Sequence, residues 1–344
     1  MTRKKKVTLK DVADLAGVAI ATADRVLNGR GGVRVATEAR VLEAARRLGL
    51  NRNLDLIPKD TLRFAVVMNR PDRDIYMRIQ RAILDYGTRL AGKGFVCNFL
   101  FYASQLPSDV ARRIESIPAT FDGAIVVTFE HTMVTDAMER LCERMPVVTL
   151  LSDLPQIARI HYAGSGNWEA GKVAGDMMGR FIGCDAGQVM VLTRLQRYTA
   201  HREREIAFRQ VMAERYPGLR TNHVVECDTG DGADIRRAMD YVAEHGPFQG
   251  LYNISSWNIG VVRALREAGL LNEAVLVTHG VNRQAREMLR LEELDLIIEY
   301  AVEDYACQAL GALLHYHGRQ SEFDPRPRHR VEFFTREHLP PRME

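Results

Sequence analysis

Residues 7–28 read VTLKDVADLAGVAIATADRVLN, and this stretch decides how the chain is put together. It parses as two short helices joined by a tight turn. Thr8 is a natural N-cap, with Asp11 three residues on to complete a box-like start. Leu9, Val12, Ala13 and Ala16 recur at helical spacing and give the first helix one apolar face. Gly17 should stop it, because glycine takes the left-handed conformation of a C-terminal cap. Val18 fills the angle. Residues 19–27 form the second helix, with Ala23, Val26 and Leu27 inward and Ile20, Ala21, Thr22, Asp24 and Arg25 toward solvent. Two helices crossing steeply over a glycine turn make a helix-turn-helix, whose second helix lies in the DNA major groove. An ordinary helical pair opening a globular domain shows the same periodicity, and charge separates the two readings. Residues 1–53 hold twelve Lys and Arg against five Asp and Glu, a net of +7; the whole chain is +3, so residues 54–344 carry −4. A small basic head on a mildly acidic body is what a phosphate-binding module on a soluble domain looks like. The run Arg3-Lys4-Lys5-Lys6 reads as a solvated tail or as an arm near phosphates.

With these residues in place, the stretch closely resembles the N-terminal DNA-binding domain of the lac-repressor (LacI/GalR) family. It matches that pattern at Thr8, Asp11, Val12, Ala13, Ala16, Gly17, Val18, Thr22, Arg25, Val26 and Asn28. Ala19, Ala23 and Asp24 stand where the family has Ser, Val and Ser, so a hydroxyl cap is missing at Ala19 and an anion sits near phosphates at Asp24. The resemblance implies a DNA-contact set of Thr8, Ile20, Ala21, Thr22, Arg25, Asn28 and Arg30. A third helix is expected over 37–48, closed by Gly49. The family signature after it reads Leu48-Gly49-Leu50-Asn51-Arg52-Asn53 here, without its aromatic and its proline. In the family a hinge helix then wedges an apolar side chain into the minor groove. This chain has Leu54-Asp55-Leu56-Ile57-Pro58-Lys59, in which Pro58 stops a helix at Ile57. Leu54 or Leu56 acts as the wedge or packs on the body; both readings stand.

From residue 62 onward apolar runs alternate with helical stretches. Strands are expected at 64–68, 96–101, 124–128, 147–151, 188–192, 223–226, 250–253, 275–279 and 296–300, with helices between them, including 231–244. Fully apolar strands bounded by helices mean parallel sheets covered on both faces. About 280 residues is more than one α/β layer unit and points to two lobes. The fold class is therefore α/β: an all-α helix-turn-helix head (1–50), a divergent hinge (51–61), and a two-lobe body (62–344). The resemblance implies a body like the periplasmic sugar-binding proteins, with three crossovers and a small ligand closed between the lobes.

Ligands in open α/β sheets sit at the carboxyl ends of strands. Asn69, Asp74 and Tyr76 follow the first body strand and Glu130 the third. The segment Gly164-Ser165-Gly166-Asn167-Trp168-Glu169-Ala170-Gly171 resembles a family segment that builds a helix start in the second lobe. A phosphate-loop reading lacks its lysine. His201-Arg202-Glu203-Arg204-Glu205 resembles the family segment whose arginine reaches the ligand, which selects Arg204; periodicity alone favours a helix-surface ion pair there. A guanidinium fork suits vicinal hydroxyls or a carboxylate. Asn253 follows another strand. His279 stands where sugar-binding relatives have an aspartate, and Glu299 where they have a glutamine. These two imply an unusual ligand, with binding that titrates near neutrality through His279. Tyr76 and Trp257 offer stacking faces, and Trp257 serves equally as core.

No apolar h-region follows the basic N-terminal residues, and no stretch approaches membrane-spanning length. The five cysteines (97, 142, 184, 227, 307) are scattered and odd in number, with no metal spacing, as in reduced cytoplasmic proteins. No cofactor or metal site and no nucleophile motif appears. The expectation is a cytoplasmic, non-enzymatic, homodimeric repressor that binds a pseudo-palindromic double-stranded operator under control of a sugar, polyol or sugar-acid effector, with no membrane partner. The alternative is a solute-binding receptor without DNA-linked function.

Overall fold

The computed structural model describes residues 8–27, 33, 37, 40, 41, 44, 61–71, 74–102, 104, 106–193, 198–226, 248–255, 258–299, 301–320, 323, 324 and 331–339, leaving aside the side chains of 91, 222–226 and 258. The chain forms two compact units, Met1–Thr61 and Leu62–Glu344.

In the first unit, α1 (Leu9–Ala16) opens on a reciprocal capping box. The Thr8 N–H donates to the Asp11 carboxylate at 2.7 Å, and the Asp11 N–H donates to the Thr8 hydroxyl at 3.3 Å. Gly17 closes the helix at φ 63°, and the Val18 N–H returns to the Ala13 carbonyl at 3.0 Å. Helix α2 (Ile20–Leu27) follows, its first bonds taken from Thr22 and Ala23 by the Ala19 carbonyl. Val12, Ala13, Ala16, Ala23, Val26 and Leu27 pack with Val41 and Ala44 into one small core. The third helix expected over 37–48 lies mostly outside the described residues; Asn28, Arg30 and the hinge with Leu54 and Leu56 lie wholly outside them.

The body begins with β1 (Leu62–Asn69), α3 (Asp74–Arg89), β2 (Phe95–Tyr102), α4 (Pro107–Glu115), β3 (Gly123–Val126), α5 (Thr132–Cys142), β4 (Val147–Leu150) and β5 (His161–Ala163). These strands form one parallel sheet in the order β2-β1-β3-β4-β5. The strand period of two sorts β1 cleanly: Phe64, Val66 and Met68 join one core cluster with Tyr76, Ile79 and Ile83 of α3, while Ala65 and Val67 join another with α4 and α5. That is why β1 reads as a continuous apolar run.

After β5 the chain crosses into a second lobe of α6 (Asn167–Ile182), β6 (Gly187–Thr193), α7 (Thr199–Arg215), β7 (Leu219–Glu226), β8 (Gly250–Asn253), α8 (Asn258–Glu267), β9 (Val275–His279), α9 (Arg283–Arg290) and β10 (Leu296–Glu299). It then returns as α10 (Val302–Tyr316), which packs in the first lobe beside α3, and crosses again to β11 (Glu332–Phe334). The second sheet runs β11-β10-β9-β8-β6-β7. The three crossovers implied by the resemblance are present. One strand departs from the expected parallel sheets: β11 pairs antiparallel with β10, at the edge. Three elements were not legible beforehand. β5 has three residues and no apolar run, α9 is RQAREMLR with only Ala285 and Leu289 buried, and β11 is defined by its pairing alone. The helix expected over 231–244 lies outside the described residues.

Helices α6 and α7 approach closely because glycines line their contact. A Cβ on Gly171 would overlap the Arg204 carbonyl oxygen, one on Gly175 would stand 3.0 Å from the Phe208 carbonyl oxygen, and one on Gly179 would enter the Tyr216 ring. The spacing of four keeps all three on one helix face. This close crossing sets where Arg204 stands.

Candidate functional site

The carboxyl ends of both sheets carry many of the buried polar side chains of the body. At the end of β4 the backbone makes a tight turn: Leu151 sits at φ 67°, and the Ser152 N–H donates to the Leu150 carbonyl at 2.9 Å. A three-residue turn with positive φ on a leucine is strained, by about 1–3 kcal/mol. The strand beside it holds the turn in place. The Leu151 N–H donates to the Ala163 carbonyl at 3.0 Å, and the Tyr162 hydroxyl donates to the Leu151 carbonyl at 3.0 Å.

From Tyr162 a chain of polar contacts crosses to the second lobe. The Asn167 amide donates to the Tyr162 hydroxyl at 3.2 Å, and the Asn167 carbonyl oxygen accepts from Arg204 Nε at 2.9 Å and Nη2 at 2.6 Å. Ser165 also donates to that oxygen, at 3.0 Å. Arg204 is 2% exposed, so it is no surface ion-pair residue. Burial raises the Tyr162 phenol and the neighbouring Glu203 carboxyl above their ordinary values.

Four further contacts tie the lobes together around these strand ends. Thr199, at the start of α7, donates its hydroxyl to the Asp153 carbonyl at 3.0 Å. Asp153 is itself fixed by Thr149, by the Leu154 N–H and by a two-pronged pair with Arg159. Phe129 meets Tyr198 edge to face, with ring centres 5.7 Å apart. Glu130 accepts from Arg202 at 2.6 Å, a half-exposed pair of small energetic weight. The fourth is better buried: Arg78 of α3 donates to Glu299 at 2.7 Å and to the Val281 carbonyl at 3.4 Å. The second Glu299 oxygen accepts the Val281 N–H, and Glu303 stands 3.7 Å from the same guanidinium. This bridge borders a groove of about 790 Å³ lined by Asp74, Arg78, Arg81, Asp85, Arg283 and Glu303, among others.

The residues read from sequence as ligand contacts therefore fall into different places. Arg204 stands at the crossover network and Asn69 is buried at the end of β1. Glu130 and Glu299 are each engaged in a lobe-to-lobe ion pair. Asp74 lines the groove beside the Arg78–Glu299 bridge. Tyr76 is 8% exposed within the first lobe's core, which corrects its reading as a stacking face; helical phase turns its ring onto the sheet. Asn253 is buried, accepts from the Ser255 N–H and hydroxyl, and donates its amide to the Thr278 hydroxyl on β9 at 3.2 Å. His279 bonds the Tyr252 hydroxyl at 2.7 Å, and the Tyr252 ring stacks on Phe208. Burial, then the nearby Arg204 and His201, holds the His279 pKa well below the ordinary imidazole value. The expected titration near neutrality is thereby corrected: this imidazole is neutral there. His201 is likewise lowered, to about 3, by burial and Arg204. Trp257 lies outside the described residues.

Three further side chains stand at the strand ends. The hydroxyls of Thr128, Ser152 and Thr193 follow or end β3, β4 and β6, are buried, and have no hydrogen-bond partner among the described residues. Buried polar atoms are nearly always bonded, so each offers a donor and acceptors to a further partner. The available signal was a Ser or Thr placed where a fully apolar strand ends.

In the head, Ile20, Ala21 and Arg25 are exposed on α2, Thr22 is half-buried, and Thr8 is engaged in its cap.

Among known proteins, the family described as the periplasmic binding protein domain matches residues 64–316, and bacterial regulatory proteins, lacI family, match residues 8–53. Catabolite control protein A of Priestia megaterium is 36% identical over 85 residues, 24% of this chain and 26% of that protein. The matched stretch thus spans about a quarter of that relative's length. Among solved structures, GanP, a glucose-galactose binding protein from Geobacillus stearothermophilus, superposes with TM-score 0.71 at 15% identity, over 82% of this chain and 100% of that one. A solute-binding protein from Burkholderia graminis in complex with D-arabinose gives 0.72 at 18% identity, over 80% and 96%. A LacI transcriptional regulator from Bacteroides fragilis gives 0.69 at 16% identity, over 80% and 98%. At these identities the structural likeness is one of fold. No helix of the described residues is long and apolar enough to cross a membrane.

Proposed function

Since this chain belongs to the LacI family of bacterial regulatory proteins, with a periplasmic binding protein domain as its body, we propose that it is a transcriptional repressor whose operator affinity is set by a small ligand held between the two lobes. The observation that carries the reading is the set of lobe-to-lobe contacts around the strand ends, on the same chain as a capped helix-turn-helix. A ligand that favours one lobe arrangement shifts operator affinity by a coupling energy of about 1–3 kcal/mol.

The working division is a head of residues 1–50, a hinge of 51–61 and a body of 62–344. Thr22, Arg25 and the surface of α2 face DNA, and Asn28, Arg30 and a hinge wedge of Leu54 or Leu56 complete the contact set that the resemblance implies. Arg204, Asn69 and the hydroxyls of Thr128, Ser152 and Thr193 support a hydroxyl-bearing effector, a sugar, polyol or sugar acid. The protein acts in the cytoplasm as a homodimer on a pseudo-palindromic operator, binding rather than catalysing. Exposed Met77 and Leu84 on α3, with Arg81 and Asp85 between and beside them, support a dimer face on the body.

The test is a thermal-shift screen of the full chain against sugars, polyols and sugar acids, followed by DNA-binding titrations with and without each hit. A ligand at 100 times its Kd adds about 2.7 kcal/mol. Ser152→Ala is expected to fold at least as stably as the parent and to bind the hit more weakly. A ligand that stabilises the body while leaving DNA affinity unchanged refutes the regulatory reading and favours a solute receptor.

A further inference from the structure

We propose that the head reads its DNA through thymine 5-methyl groups, with Ile20 and Ala21 as the reading side chains. The proposal rests on the DNA-binding reading above and specifies what the recognition helix recognises.

The N-terminal turn of the second helix is the part of a helix-turn-helix that meets base edges. In this chain that turn carries Ala19, Ile20 and Ala21, all exposed, and Ile20 leaves 49% of its surface in solvent. The fold does not use that surface. The inward face of α2 is filled by Ala23, Val26 and Leu27 against Val12, Ala13 and Ala16 of α1. The net charge of +7 over residues 1–53 draws this face to a polyanion rather than to an apolar protein partner.

None of the three side chains holds a hydrogen-bonding atom. They have nothing to offer N7 and O6 of guanine, N7 and N6 of adenine, or N4 of cytosine. The apolar group that the four standard bases show in the major groove is the thymine methyl. Arg25, four residues after Ala21 and exposed on the same helix face, leaves a polar contact for a neighbouring base pair or phosphate. Ile20 and Ala21 therefore select thymine at adjacent positions of each half-site, by burying methyl against methyl.

The experiment selects binding sites for the full chain from a randomised, unmethylated duplex pool, then replaces each thymine of the enriched half-site singly by deoxyuridine, which removes only the methyl. Affinities are measured at one fixed salt concentration. At about 0.8 kcal/mol per buried methyl, each contacted thymine should weaken binding about fourfold, and about fifteenfold when both half-sites are substituted. Ile20→Ser, outside the core, should fold as the parent does by circular dichroism and bind the thymine and uracil forms of its contact alike. Uracil tolerated at every position overturns the proposal while leaving DNA binding standing. A uracil-indifferent site that binds tighter when its cytosines are 5-methylated assigns the methyl to 5-methylcytosine and also overturns it. Failure to enrich any DNA refutes the DNA-binding reading, and the proposal with it.

Discussion

Removing Arg78 should loosen the two lobes from each other. Its guanidinium lies 2.7 Å from Glu299, and the two side chains are 17% and 7% exposed. Breaking a fully buried pair by deleting one partner costs about 3–5 kcal/mol, because the other charge stays behind in a poor solvent. Here Arg78 borders the groove and keeps some contact with solvent, and Glu299 keeps the Val281 N–H. The expected cost of Arg78→Ala is therefore about 2–3 kcal/mol. Glu299→Gln keeps the shape and one acceptor and removes the charge, for about 1–2 kcal/mol. Residues in direct contact couple, so the double variant should fall short of the sum by at least about 1 kcal/mol. The assay is urea unfolding of the full chain and of the three variants, followed through the body's tyrosine and tryptophan signal. A coupling below about 0.3 kcal/mol, within the additivity of independent sites, would refute the bridge as a joint between the lobes.

Thr8→Ala should cost the head about 1 kcal/mol by leaving the Asp11 N–H unbonded, read as a loss of helical signal at lower temperature. Gly171→Ala should destabilise by about 3 kcal/mol or more, since its Cβ meets backbone that cannot move aside, whereas Gly175→Ala should cost visibly less; thermal midpoints of the two variants decide the order. His279 is neutral in the folded body and free to protonate once unfolded, so the unfolded state binds more protons below about pH 6.5. Stability should fall as pH drops below that value, His279 and His201 each contributing up to about 1.4 kcal/mol per pH unit, and His279→Phe should remove its own share of the slope; parallel pH–stability curves for the two proteins would refute it.

The local rules of the chain were enough to read the first two helices of the head. Thr8, Asp11 and Gly17 act through hydrogen bonds spanning three or four residues, so their spacing in sequence already states the capping box and the C-cap. The runs of β1, β8 and β9 were equally readable, because a strand covered on both faces must be apolar throughout. Strands of three residues escaped: β5 and β11 owe their identity to a neighbour's free edge, which no local pattern encodes. The site divided in the same way. That polar residues follow the strands at their carboxyl ends is legible from chain order and strand direction; Asn69 is buried at the end of β1, and Arg204 stands on α7 against Asn167. What each residue is joined to did not follow. Glu130 and Glu299 looked like ligand acceptors until Arg202 and Arg78 were found against them, 72 and 221 residues away in the chain. His279 looked titratable until Tyr252 and the surrounding core removed its water. Sequence by itself determined the longer helices and strands and where charge and apolar surface accumulate, since those depend on neighbours within a few residues. Pairing, burial and protonation were decided only by the tertiary structure, because they depend on which distant atoms displace water from a given group.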